Sequence, residues 1–303
     1  MSVIARAFDS DVAYSFRRSP LAIVAAIVLL TLVLGAALAP WVAPHNPMDL
    51  ASLNLMDSRI PPAWDAEGQW SFPLGTDDQG RDILSGIMYG MRLSLVIGAC
   101  AVVFAVLVGG AVGLIAGYAG GAVDSALMRV ADIQLTFPAI LVALLVDGVV
   151  TASLPQDMHQ TFKVQVLIFA IGIADWPKFA RIVRGSTLVE RGREYVMAAR
   201  VIGLSAPRIM LTHILPNVLG PVFVVGTLSL GLAVLAEATL SFLGVGLPPT
   251  SPSVGTLIRI GNDFLFSGEW WMTIFPGLTL VLLVLSINLL GDWLRDALNP
   301  RLK

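Results

Sequence analysis

Glu194–Asn217 reads EYVMAARVIGLSAPRIMLTHILPN and lies between two runs, 164–183 and 217–243, that are apolar enough to be membrane spans. The segment itself is basic, amphipathic and punctuated by helix breakers. Its first part, with Glu194, Met197, Ala198 and Ala199, reads as a helix whose two alanines are small enough for close packing. Gly203 then admits a left-handed turn that a residue with a Cβ disfavours. Ser205-Ala206-Pro207 suits a second helix start, with serine at the N-cap and proline in the first turn. Arg208 follows, and Ile209, Met210 and Ile214 supply an apolar face. Leu215-Pro216 then interrupts the path into the next run. A short amphipathic helix of this kind fits a groove on a soluble partner. The plainer alternatives are a helix lying on lipid headgroups and an ordinary connector.

The composition around this segment excludes a soluble globular domain: 56% of the 303 residues are hydrophobic and 13% charged, with mean hydropathy +0.81. A helix satisfies its own backbone hydrogen bonds, so about 20 apolar residues can cross a ~30 Å hydrocarbon core. Six such runs are present, 21–43, 93–117, 132–152, 164–183, 217–243 and 272–293. The expectation is an all-α integral membrane protein with six transmembrane helices. Residues 1–20 form an N-terminal segment, with an interfacial helix in 8–19. Residues 21–92 hold the first span and an external loop, 93–294 the remaining membrane domain, and 295–303 a tail.

Orientation follows the basic residues, which are retained on the cytoplasmic side. With the N-terminus inside, that side collects Arg6, Arg17, Arg18, Arg129, Arg184, Arg191, Arg193, Arg200, Arg208, Arg295, Arg301 and Lys303. The other side holds Arg59, Arg81, Arg92, Lys163 and Arg259. Both termini are therefore placed in the cytoplasm. The first run is longer than the apolar core of a signal peptide and is read as an uncleaved anchor. Glycines 109, 110, 113, 117, 120 and 121 crowd the second span and its exit, and small residues of this kind let helices approach closely in lipid.

Several chemistries lack their residues. None of Lys163, Lys178 and Lys303 follows a glycine, so no nucleotide-binding Gly-Lys-Ser/Thr loop exists. His45, His159 and His213 lack zinc-ligand spacing, and Cys100 stands alone. Asp147, Asp175 and Glu237 lie within spans, where ionisable groups are costly and point to function. Asp147 and Asp175 differ in depth by roughly 10 Å at ~1.5 Å per residue, which argues against a catalytic pair. Glu237, near the outer end of its run, is a candidate for lining a polar path or for reaching interfacial water.

Five blocks carry a resemblance: FPLGTDDQGRDILSGIMYGMRLSL (72–95), WPKFARIVRGSTL (176–188), the 194–217 segment, EATLSFLGVGLPPTSPSVGTL (237–257) and GDWLRDALNPRLK (291–303). In these the chain resembles the C-type permease subunits of the dipeptide, oligopeptide and nickel branch of ATP-binding-cassette (ABC) importers. The resemblance implies the type I importer permease fold, with 194–217 as a cytoplasmic coupling-helix loop. It departs from the wider importer pattern at Met197, where an acidic residue opens the loop motif, and at the later isoleucine position, His213, although HILPN resembles a usual form in the peptide branch.

The resemblance further implies a homologous B-type permease as partner, together with two ATPase subunits and an extracytoplasmic solute-binding protein, in a bacterial inner membrane. ATP and magnesium would sit in the ATPases, and this chain would bind no cofactor and catalyse no reaction. The branch handles dipeptides, longer peptides, nickel complexes, opines and glutathione, and the overall likeness favours dipeptides. Two readings from other classes compete. An ion-coupled secondary transporter would use Glu237 or Asp147 as proton site, and an intramembrane hydrolase would use Asp147 with Asp175. Neither accounts for the basic two-helix loop.

Overall fold

The computed structural model describes residues 11–49, 53–155, 158–248 and 250–297. Arg6, Arg301 and Lys303 lie outside them, as does most of the expected tail. The described chain is helical, and its only strand-like pairing is an isolated bridge between Thr76 and Asp82. Apart from a single turn over Ala39–Val42, the α-helices are α1 (Asp11–Arg18), α2 (Pro20–Ala37), α3 (Ile83–Ala119), α4 (Gly121–Leu135), α5 (Ala139–Ser153), α6 (His159–Arg191), α7 (Glu194–Val201), α8 (Ala206–Ile209), α9 (Leu215–Phe242), α10 (Val254–Phe264) and α11 (Trp271–Ala297).

Two compact units divide these elements. One contains the chain up to Ile97 and from Val234 onward, and the other Gly98–Ala233, so that α3 and α9 each contribute to both. In the first unit α11 packs against α2 and α10. Ser19 caps α2, accepting from the Ala22 N–H at 3.3 Å. Phe16 of α1 meets Trp293 of α11 edge-on at 5.0 Å, which ties the short N-terminal helix to the bundle. Gly255 and Gly261 of α10 leave no room for a side chain, because a Cβ would come within 2.3 Å of the Ala238 carbonyl and 2.4 Å of the Met272 backbone.

The external segment before α3 is turns, with a single short 3-10 helix over Leu55–Asp57 among its described residues. The GTDDQGRD stretch is one tight structural turn. Gly75 and Gly80 adopt φ of 84° and 80°, and the Asp77 carboxylate accepts from the Gln79 and Arg81 N–H groups at 2.8 Å each. Burial pushes the Asp77 carboxyl above its ordinary range, and those two N–H groups oppose the shift. Asp82 accepts from the Ser85 N–H and hydroxyl and so caps α3. Trp271 Nε1 donates to the Thr76 carbonyl at 3.1 Å, fastening the turn to α11.

In the second unit α3 packs on α6 through glycine. A Cβ at Gly109, Gly113 or Gly117 would fall 2.3, 2.4 or 2.7 Å from the Trp176 carbonyl, the Ala180 carbonyl or the Thr187 Cβ. The expected close packing is therefore real at these three positions, whereas a Cβ at Gly110 or Gly121 would meet nothing within 4 Å. Arg184 of α6 forms a two-pronged pair with Asp124 of α4 at 2.5 and 2.6 Å. Trp176 Nε1 donates to Gln134 at 2.9 Å.

Against the six expected spans, the described helices give four or five by length and composition. By length and composition four described helices suffice to cross a membrane: α2, α3, the continuous 206–242 helix and α11. The expected span 132–152 takes in the end of α4 and most of α5, and these two helices meet at a 94° bend beside Pro138, which cannot donate to the helix ladder. The pair raises the number to five if it counts as one span. The 164–183 run lies within α6, which is long enough but carries Asp175, Lys178 and Arg181 and buries much of its surface in protein. A helix covered by its neighbours is under less pressure to be apolar on every face.

Sidedness is open to a direct measurement. In a Cys100→Ser background, single cysteines at Ser71 and Ser267, both exposed, should react with an impermeant thiol reagent in intact cells. A cysteine at the exposed Ser205 should react only after permeabilisation. Ser253 is a poor reporter, because it is fully buried as the cap of α10. Labelling of position 205 from outside reverses the orientation.

Candidate functional site

The Glu194–Asn217 segment folds as the expected two-helix turn. α7 ends at a left-handed Gly203 with φ of 83°. The Leu204 N–H donates to the Ala199 carbonyl at 3.1 Å and the Gly203 N–H to the Arg200 carbonyl at 3.0 Å, the paired bonds that close a helix through glycine. Ser205 occupies the N-cap of α8 with Pro207 in the first turn, although its hydroxyl makes no capping bond.

The path into α9 differs from expectation. Pro216 does not interrupt it, since a π-helical turn over Met210–Ile214 joins α8 to α9 without a break. The Leu215 N–H reaches back five residues to the Met210 carbonyl. Widening the turn there lets a proline with no N–H sit in the first turn of α9, where that donor is dispensable. Asn217 braces the hairpin, donating to the His213 carbonyl at 2.8 Å and the Tyr195 hydroxyl at 3.1 Å.

The apolar face lies elsewhere than the sequence indicated. Ile209 and Ile214 are 1% and 0% exposed and point into the protein, where they join Val196, Ala199, Phe179 and Val183 in one core cluster. They anchor the hairpin to α6 and are closed to any partner, and Met210 is only partly exposed. The outward apolar surface is instead Met197 at 49%, Val201 at 86%, Ile202 at 73% and Leu211 at 59% exposure. Glu194, Ala198, Arg208 and Pro216 are also exposed, and Leu215 is half-buried. Val201 and Ile202 escape a sequence reading because valine and isoleucine at a helix end look like core residues.

Glu237 has no exposed surface among the described residues. It is wholly buried in the first unit, its two carboxylate oxygens accepting from Ser94 at 2.6 Å and Ser241 at 2.7 Å. Two hydroxyl donors offset part of the desolvation of a carboxylate, and the group fastens α9 to α3. Asp147 takes both its contacts from Lys163, at 2.9 and 3.0 Å, while Asp175 pairs with Lys178 at 2.6 Å. The two aspartates are thus engaged by different lysines, and neither positions the other for acid–base chemistry.

Long apolar helices joined by a hairpin that buries one apolar face and exposes another define an integral membrane protein. The family follows from the sequence match. The chain belongs to the family of binding-protein-dependent transport system inner membrane components, whose model covers residues 109–303. Residues 10–62 match the N-terminal TM domain of oligopeptide transport permease C. The chain is 38% identical over 289 residues to the di/tripeptide transport system permease protein DppC of Pseudomonas aeruginosa, covering 95% of this chain and 91% of that one. It is 41% identical over 288 residues to the dipeptide transport system permease protein DppC of Escherichia coli K12, with 95% and 91% covered. A putative peptide transport system permease protein of Brucella suis is 40% identical over 277 residues, with 91% and 86% covered. The chain is accordingly a permease subunit of an ABC transporter, embedded in the inner membrane.

Proposed function

We propose that this subunit forms, with a homologous B-type permease, the pathway for ATP-driven uptake of dipeptides or short oligopeptides delivered by an extracytoplasmic solute-binding protein. The 194–217 hairpin is its cytoplasmic contact with an ATPase subunit. One observation carries the reading: Val201 and Ile202 stand in solvent while Ile209 and Ile214 of the same hairpin are locked into the bundle. A push received on the outer face is passed to α6 and α9 through packed side chains that resist compression. ATP binding to the partner then biases a two-state rigid-body change of the helices. The peptide substrate is carried over from the printed names of the relatives, and the burial of Glu237 gives an ion-coupled mechanism no exposed carboxylate at that position.

The test is uptake of a labelled dipeptide by membranes containing the reconstituted transporter. Uptake should require the ATPase and persist when an ionophore collapses ion gradients with ATP maintained. Collapse under the ionophore sinks the proposal.

The departure at Met197 gives a second expectation. With no acidic residue at this position, docking there is apolar, and Met197→Ala should weaken ATPase retention by about 1–3 kcal/mol, the scale of one buried large side chain. The loss should hold across a salt series, because salt screens only charge interactions. If co-purification is unchanged at every ionic strength, Met197 is not a contact, and Val201, Ile202 and Leu211 become the residues to replace.

A further inference from the structure

A cavity of about 460 Å³ opens between the end of α3 and the start of α8, lined by Ile115, Tyr118, Ala119, Arg191, Arg200, Ala206 and Met210. Two guanidinium groups converge on it, and no carboxylate is among its walls. Arg191 uses one N–H on the Gly117 carbonyl at 3.4 Å, and Arg200 lies over the Tyr118 ring at 5.0 Å. Among the described residues neither arginine forms an ion pair, in contrast to Arg184, which is matched by Asp124, and Arg181, which is matched by Asp132. Gly120 holds φ of 68°, and a Cβ there would sit 2.8 Å from Arg191 Nη1, so the chain turn leaves the guanidinium its place.

Depth supplies the second half of the argument. Ala119 ends the 37-residue apolar helix α3, and Ile115, one turn earlier, is 46% exposed. The cavity therefore lies at the end of the apolar run 93–117, with basic groups at one wall and apolar ones, Ile115 and Met210, at another. A guanidinium presents a planar fork that matches phosphate oxygens in pairs. Basic pockets between helices at the membrane surface hold anionic headgroups.

We propose that Arg191 and Arg200 bind the phosphodiester of an anionic phospholipid, whose acyl chains run along the exposed face of α3 at Ile115. The lipid bridges α3 and α6 to the base of the hairpin. This site is independent of which soluble subunit docks on the outer hairpin face, because Ala206 and Met210 line the cavity while Val201, Ile202 and Leu211 are exposed.

The full-length chain, purified in mild detergent and equilibrated with equal amounts of phosphatidylglycerol and phosphatidylethanolamine, is read by native mass spectrometry. Phosphatidylglycerol adducts should predominate. Arg191→Gln with Arg200→Gln should lower them about tenfold or more, at the scale of ~1 kcal/mol per basic residue, leaving phosphatidylethanolamine unchanged. The corresponding double lysine variant should keep most of the preference, and Arg129→Gln, at an exposed position on α4, should keep all of it. Equal retention of the two lipids, or no loss in the double glutamine variant, overturns the proposal. Displacement of the lipid by millimolar inorganic phosphate overturns it in favour of a free-phosphate site. Displacement by added ATPase subunit overturns it in favour of a protein interface. None of these outcomes bears on ionophore-resistant uptake, so this inference and the transport reading fail separately.

Discussion

Gly203→Val should lower dipeptide uptake and substrate-stimulated ATP hydrolysis by an order of magnitude or more while the chain still inserts and co-purifies with its partner permease. The cause is conformational rather than steric crowding, since a Cβ at Gly203 would find nothing within 4 Å. What opposes valine is the φ of 83° itself. A left-handed conformation costs an L-residue about 1–2 kcal/mol, and more for a β-branched one. That penalty falls on the two hydrogen bonds that end α7 and set its angle to α8, so the apolar outer face and the buried anchor no longer keep their relative positions. Asparagine tolerates the left-handed region, and Gly203→Asn should retain most of the activity. The measurement is paired uptake and ATPase assays on both variants in proteoliposomes. Wild-type uptake by the valine variant would reduce the hairpin to a connector.

The second large effect is on stability. Gly113→Leu should cost about 3 kcal/mol or more, above the usual overpacking range of ~1–3 kcal/mol, because the obstacle is backbone. Its Cβ would lie 2.4 Å from the Ala180 carbonyl oxygen and 2.9 Å from the Arg184 nitrogen, and neither can turn aside as a side chain would. α6 must move bodily away from α3, which separates Phe179 and Val183 from the core they share with Ile209 and Ile214. Thermal unfolding in detergent should show a midpoint lower by roughly 5–10 °C. Gly110→Leu is the internal control. It lies on the same helix and beside the same motif, yet has no neighbour to displace, and its midpoint should match the wild type. Equal losses at the two positions would mean that the close approach of α6 at Gly113 is not the cause.

The contrast between Gly113 and Gly110 shows where sequence reading stops. A stripe of glycines declares that a helix face can be approached closely, and nothing in it says which glycines are approached. The same holds for the hairpin. The period of Ile209, Met210 and Ile214 revealed an apolar face correctly but could not say whether the bundle or a partner occupies it.

The sequence by itself determined the membrane class, the helical content, the left-handed turn at Gly203 and the family, because each rests on local quantities: hydropathy over about 20 residues, backbone freedom at one position, or the order of residue types within a block. Only the tertiary structure decided that the chain bends by 94° between α4 and α5 beside Pro138, that a π turn carries it past Pro216, and that Glu237 is held by Ser94, 143 residues away. It also decided that Val201 and Ile202 face out while Ile209 and Ile214 face in. Apolar burial is non-directional and proportional to area, so any neighbour of the right shape satisfies a hydrophobic face. Which neighbour does so depends on how helices distant in the chain come together.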